Sequence, residues 1–186
     1  MRGVCGGCAK LFRGKCKMGY EVIKGTKIKE FIRPNKCKKK YIKQAVLDKK
    51  NHKRLMEKLD DTFQMYIRYR DNWTCCVCGK KVEPSSEGAK SLMHAGHYIG
   101  RVNKTLRWDE LNCHAQCRDC NCTQNAQGLD VRYTLYLLNK YRNVLFDSKT
   151  ILEYLAEKKQ IMSNFSDVDL EEKIAYYSEK LEKLKR

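Results

Sequence analysis

The chain is 186 residues long and carries a formal net charge of +17, with 39 Lys and Arg against 22 Asp and Glu. That length suits one modest domain plus an appendage. No apolar run approaches the ~18 residues of a membrane span, residues 1–17 show no secretory h-region, and 11 cysteines, an odd number, exclude a fully paired intramolecular disulfide set; a reducing, cytoplasmic setting is expected, where clustered cysteines act as metal ligands.

The charge is uneven along the chain. Residues 1–58 hold 19 Lys/Arg and 4 Asp/Glu, whereas the remaining 128 residues hold 20 and 18. A basic arm of this kind points to a polyanion such as DNA, because phosphate contacts dominate nucleic-acid affinity; a lysine-rich solubility tail is the alternative. Residues 1–37 form a Cys-containing N-terminal segment. Its Cys5-Gly6-Gly7-Cys8 with Cys16 and Cys37 is expected either to hold a second zinc or to be a set of free thiols.

Residues 38–71 are predicted as a basic to amphipathic helix. Lys36 to Lys58 would track phosphates, with Tyr41, Ile42, Val46 and Leu47 giving it a partly apolar face; His52 would be solvated. Leu59, Phe63, Tyr66, Ile67 and Arg70 then recur at helical spacing, and Asp71-Asn72 can end the helix.

Residues 72–128 are rich in Cys, His and Asn and lack long apolar runs, so their small core needs a staple. Cys75-Cys76-Val77-Cys78-Gly79 contains one C-x-x-C, and Cys117-Arg118-Asp119-Cys120 is another. Each such turn presents two sulfurs, and two turns complete a tetrahedral site, so Cys75, Cys78, Cys117 and Cys120 are expected to bind a structural Zn²⁺. Cys76, Cys113 and Cys122 are ambiguous, as ligands or buried spectators.

From 129 to 186 the helical period returns. Val131, Leu135, Leu138 and Tyr141 fit one face; Ile151, Leu152, Leu155 and Ile161 fit a second. A last helix capped by Asp167 would carry Leu170, Ile174, Tyr177, Leu181 and Leu184. These stripes are read as core or a partner-helix seam rather than a ligand box.

Three polar residues sit at telling places between and after the cysteine pairs. His97 ends the extended segment His94-Ala95-Gly96-His97, Asn112 lies five residues before Cys117, and Asn121 follows Cys120 where a helix is expected to begin. This order resembles the HNH endonuclease motif, and with four cysteines around it is similar to phage recombination endonuclease VII. More closely, Ala95-Gly96-His97-Tyr98, Glu110-Leu111-Asn112-Cys113-His114, Gln116-Cys117 and Cys120-Asn121 resemble the phage lambda NinG (Rap) recombination family, as do Leu59-Asp60-Asp61 and Tyr66-Ile67-Arg68 upstream. The resemblance spans roughly residues 59–142.

It implies a small α+β fold: a zinc-stapled ββα-metal (HNH) module with flanking helices and the basic arm. It also implies a metal-dependent endonuclease hydrolysing phosphodiesters in branched DNA, D-loops or Holliday junctions. His97 would be the general base, since imidazole accepts a proton near neutral pH. Asn121 would hold a hard cation, Mg²⁺ or Mn²⁺, and Asn112 would orient His97. The family pattern of HNH enzymes places Asp or His immediately before the base; here that residue is Gly96. His94 or Asn125 would substitute as ligand, against the plainer readings of a surface histidine and a solvated helix residue. His114 is expected near the phosphate or behind the ligands. A homodimer would suit a two-strand cut. The alternatives are a zinc-dependent DNA-binding recombination mediator without cleavage, and an HNH enzyme that nicks linear duplex.

Overall fold

The computed structural model describes residues 3–4, 11–12, 35–127 and 131–186, with side chains described for 46–123 and 131–186. The chain divides into two compact units, residues 1–54 and 55–186. The described part of the first holds strands β1 (Gly3–Val4) and β2 (Leu11–Phe12), which pair antiparallel with Gly3 opposite Phe12. Cys5, Cys8 and Cys16 lie outside the described residues, and Cys37 is described only as helical backbone.

Helix α1 spans Asn35–Arg70. Lys, Arg, Glu, Gln, Leu and Met dominate it, with no internal Gly or Pro to interrupt it. Val46 and Leu47 are exposed, and His52 is half-buried rather than solvated. The helix ends in a Schellman turn: Trp73 N donates to Arg68 O (2.8 Å) and Asn72 N to Tyr69 O (3.0 Å), with Asn72 in the left-handed region at φ 50°. Asn tolerates that conformation better than any other residue with a Cβ, which is why the helix stops here.

The last turn of α1 holds the next two strands in place. Helix α2 (Ala89–Leu92) leads into β3 (Met93–His97), which pairs antiparallel with β4 (Cys113–Cys117). Arg68 Nε donates to Met93 O at 2.7 Å. Arg70 donates to the carbonyls of Glu110 (2.7 Å) and Cys113 (2.8 Å), and Asp71 accepts Ala115 N at 2.8 Å. Arg70 and Asp71 are also paired with each other (2.8 Å), so neither charge is buried alone.

Helix α3 (Arg118–Gln127) follows β4 directly and packs on both strands. It begins three residues before Asn121, one turn earlier than the sequence pattern suggested. Then come α4 (Val131–Lys140), α5 (Ile151–Gln160) and α6 (Asp167–Lys185). Thr150 caps α5 through a capping box with Glu153, and Ser166 caps α6 through one with Asp169. The expected cap of α6, Asp167, is thus off by one: the box needs an acid three residues on, and Ser166 has it. No helix among the described residues is long and apolar enough to cross a membrane.

Three apolar clusters form the core of the second unit. Leu59, Phe63, Tyr66 and Ile67 of α1 meet Leu170, Ile174, Tyr177 and Leu181 of α6 around Trp108 and Cys113. Trp73, Val82, Met93 and Ala115 surround the cysteine pairs. Leu106, Tyr133, Leu137, Ile151 and Leu155 join α4 to α5. The α1 stripe is as expected, and so is α6 except that Leu184 is exposed. The α4 stripe is not. Tyr133 and Leu137 are 0% exposed, while Val131 and Leu135 are 70% and 53% exposed. Both sets recur at four residues, so periodicity alone could not choose the face. Ile161 also faces solvent, beyond the end of α5.

This reassignment is directly measurable. Leu137→Ala should destabilise the zinc-loaded protein by about 2–5 kcal/mol through the cavity it leaves, and Leu135→Ala by less than ~0.5 kcal/mol, both read as shifts in urea unfolding midpoint.

Candidate metal centre and histidine site

The sulfurs of Cys75, Cys78, Cys117 and Cys120 all lie within 4.8 Å of one another, and Cys78 and Cys117 are 3.7 Å apart. Tetrahedral zinc with Zn–S bonds of ~2.3 Å needs edges of ~3.8 Å, so this set can close around the ion with side-chain shifts of about 1 Å or less. Local turns aim the sulfurs. Cys75 N donates to Lys80 O (2.8 Å), Gly79 N donates to Cys75 O (2.9 Å), and Gly79 sits at φ 73°, which only glycine adopts without strain. Cys117 ends β4 and Cys120 lies in the first turn of α3, so a bound ion would tie the first knuckle to the junction of strand and helix.

The ambiguous cysteines separate by position. Cys113 is fully buried in the α1–α6 core, where burial pushes its thiol pKa far up. Cys76 is half-buried and its amide donates to Ala115 O (2.8 Å); Cys122 is exposed. None joins the four-sulfur cluster.

His97 ends β3. Its Nε2 donates to the backbone carbonyl of Arg107 at 2.8 Å. That bond selects the tautomer in which Nδ1 is the basic nitrogen. Burial holds His97 below the ordinary imidazole pKa; the carbonyl of Arg107 and the charge of Asp60 act in the opposite direction, and Arg101 and Arg107 reinforce the lowering. The ring is therefore neutral at pH 7.

The segment that supplies this carbonyl is held from three sides. Asn112, with no exposure, accepts Ile99 N (2.8 Å) and donates to Ile99 O (2.9 Å) and Leu106 O (3.0 Å). Arg107 forks onto Asp60 of α1, which also accepts Trp108 Nε1 (2.8 Å). Tyr177 of α6 donates to Trp108 O at 2.7 Å. Asn112 thus spans the exit of β3 and the segment opposite it.

The second group lies on the other face of the strand pair. In the observed register His94 faces Gln116 and Gly96 faces His114, so these four share one side and His97 the other. His94 Nε2 donates to Ser91 O (3.1 Å), and Asn121 Nδ2 donates to His94 Nδ1 (3.0 Å). The structure therefore brings His94 and Asn121 together. Asn125 is described only as helical backbone, and its side chain lies outside the described residues.

His114 is not placed to meet a phosphate. It is fully buried, its Nδ1 donates to Tyr133 Oη (3.1 Å) and its Nε2 accepts from Tyr141 Oη (3.1 Å). Tyr133 in turn donates to Gly96 O (3.0 Å). Burial, with Lys140 and Arg70 nearby, keeps this imidazole neutral. Its work is to lock α4 onto β3.

One polar residue here figures in the sequence only as part of the family-like Gln116-Cys117 pair, with no role attached to it. Gln116 is fully buried, and neither atom of its amide meets a hydrogen-bond partner among the described residues. A Cβ placed on Gly96 would lie 1.7 Å from its Oε1.

The Bacteriophage Lambda NinG protein family is matched over residues 3–186. No curated protein and no solved structure matches the chain.

Replacing one thiolate tests the zinc assignment. Cys117→Ser should lower bound zinc by one equivalent per chain relative to the parent protein, whatever the total, and should lower thermal stability with it; an unchanged zinc content by elemental analysis contradicts the assignment.

Proposed function

Since the chain belongs to the bacteriophage lambda NinG protein family, we propose that it is an HNH-type, metal-dependent DNA endonuclease of phage recombination that cuts branched DNA. One observation carries this reading: a buried asparagine, Asn112, braces the segment whose Arg107 carbonyl selects the tautomer of a strand-end histidine. A merely structural histidine needs no such dedicated support. The reading is supported by the order of a strand pair followed by a helix with a four-cysteine cluster at their junction, the order a ββα-metal module would have.

His97, neutral at pH 7, takes a proton from water on Nδ1 as the water oxygen bonds to phosphorus. The 3′ oxygen leaves with the electron pair of the broken P–O bond and is then protonated from solvent. His94 and Asn121 would hold the divalent cation. Their paired atoms are 3.0 Å apart, and an amide flip that swaps Asn121 Nδ2 for Oδ1 puts two ligand atoms at the ~3.0 Å edge of an octahedron with ~2.1 Å bonds. Such a cation supplies charge stabilisation at the scissile phosphate and leaving oxygen.

The basic stretch of α1 suits backbone contact rather than base readout, which favours recognition of branch shape over sequence. A homodimer would present two sites to a junction. A second reading, a zinc-dependent DNA-binding recombination mediator without cleavage, draws its support from Gly96, where HNH enzymes carry a ligand.

Cleavage of a branched DNA in Mg²⁺ or Mn²⁺ decides between them. His97→Ala should cut ~10²–10⁴-fold more slowly while binding DNA as before. Protonation removes the base, so the wild-type rate should fall on acidification with a midpoint below 6.5, the direction in which burial moves His97. Binding without cleavage by the wild type in either metal selects the mediator; equal cutting of linear duplex removes the branch preference.

A further inference from the structure

We propose that Gln116 is a third protein ligand of the cation held by His94 and Asn121, its amide oxygen replacing the side chain that Gly96 lacks. The inference rests on the metal-dependent reading above.

The placement is the first argument. Gln116 lies opposite His94 in the β3–β4 register, on the face that Asn121 of α3 reaches. Its Oε1 occupies the space that the first side-chain atom of residue 96 would fill, 1.7 Å from that Cβ position. The residue immediately before the base is where HNH enzymes carry a ligand, so this oxygen stands where that ligand's side chain would begin.

The second argument is energetic. Both amide atoms are buried without a partner among the described residues. Leaving a buried polar group unpaired costs about 1–3 kcal/mol, and native proteins satisfy nearly all of them with protein, water or ions. Leu or Met would fill the same volume without the penalty. A cation bound to Oε1 removes half of it and explains the choice of an amide. Carbonyl oxygens of Gln are suitable ligands for hard divalent ions.

Imidazole nitrogen with two amide oxygens makes a neutral ligand set, which has two consequences. It suits Mn²⁺ better than Mg²⁺, because imidazole favours transition ions. It also leaves the ion's full charge for the DNA phosphate, so cation and DNA should strengthen each other's binding by the same factor.

The test is Mn²⁺ titration of the zinc-loaded, full-length protein, with free ion followed by electron paramagnetic resonance, alone and with branched DNA, against DNA-only blanks. Gln116→Met keeps the volume and removes the oxygen, and should weaken Mn²⁺ binding at least ~10-fold. Gln116→Glu supplies a charged oxygen and should tighten it. Zinc content and unfolding midpoint report whether each variant is folded. Wild-type affinity in Gln116→Met, or no tightening in Gln116→Glu, overturns the ligand role. If His94→Ala and Asn121→Ala lose Mn²⁺ while Gln116→Met keeps it, only the Gln116 inference falls. If the wild type takes up no Mn²⁺ even with DNA, the metal-dependent reading falls with it.

Discussion

Four cysteine sulfurs drawn within 4.8 Å of one another are the constraint on which the second unit depends. The region they join has a small apolar core, and β4 is buried along its whole length, so its position cannot be left to weak surface contacts. The cluster fixes where β4 ends and α3 begins. The register of β3 against β4 then determines which residues share a face. A metal in that cluster is a folding contribution first and a chemical one only through what it positions.

The same strand pair has two different sides. On one, His97 looks toward a segment fastened to α1 by Asp60, to α6 by Tyr177 and to itself by Asn112. On the other, His94 meets Asn121 of α3 and lies opposite Gln116, and Tyr133 of α4 reaches the Gly96 carbonyl. A proton acceptor and a cation would thus be held by separate supports. In the proposed chemistry this lets each be positioned without crowding the other, the base serving the P–O bond that forms and the cation the P–O bond that breaks.

Much of this was legible in the sequence because it rests on short-range rules. Two C-x-x-C pairs announce a tetrahedral thiolate cluster, and the cluster is there. Residues Leu59, Phe63, Tyr66 and Ile67 recur at helical spacing, and they are buried. His94 and Asn121, 27 residues apart, were paired only through resemblance; the strand register and the helix start explain why they meet. What could not be read depends on register or on a choice between equal periods. Leu135 and Leu137 sit on α4 with similar neighbours, and only the location of α5 decides which is inside. Gln116 shares in the family-like pattern beside Cys117, but its burial against Gly96 shows only once β4 is aligned with β3. His114 looks like a phosphate contact until Tyr133 and Tyr141 close around it.

The close approach of Gln116 to Gly96 couples two positions 20 residues apart in the chain. Any side chain at 96 would evict the amide of Gln116 from a site where it has no exposure. An Asp or His placed at 96 alone is therefore obstructed, and shortening Gln116 alone leaves a void above a bare backbone. Relatives that carry an acid or imidazole before the base should pair it with a small residue at the position equivalent to 116, so that the two sites drift through sequence space as a unit rather than one at a time.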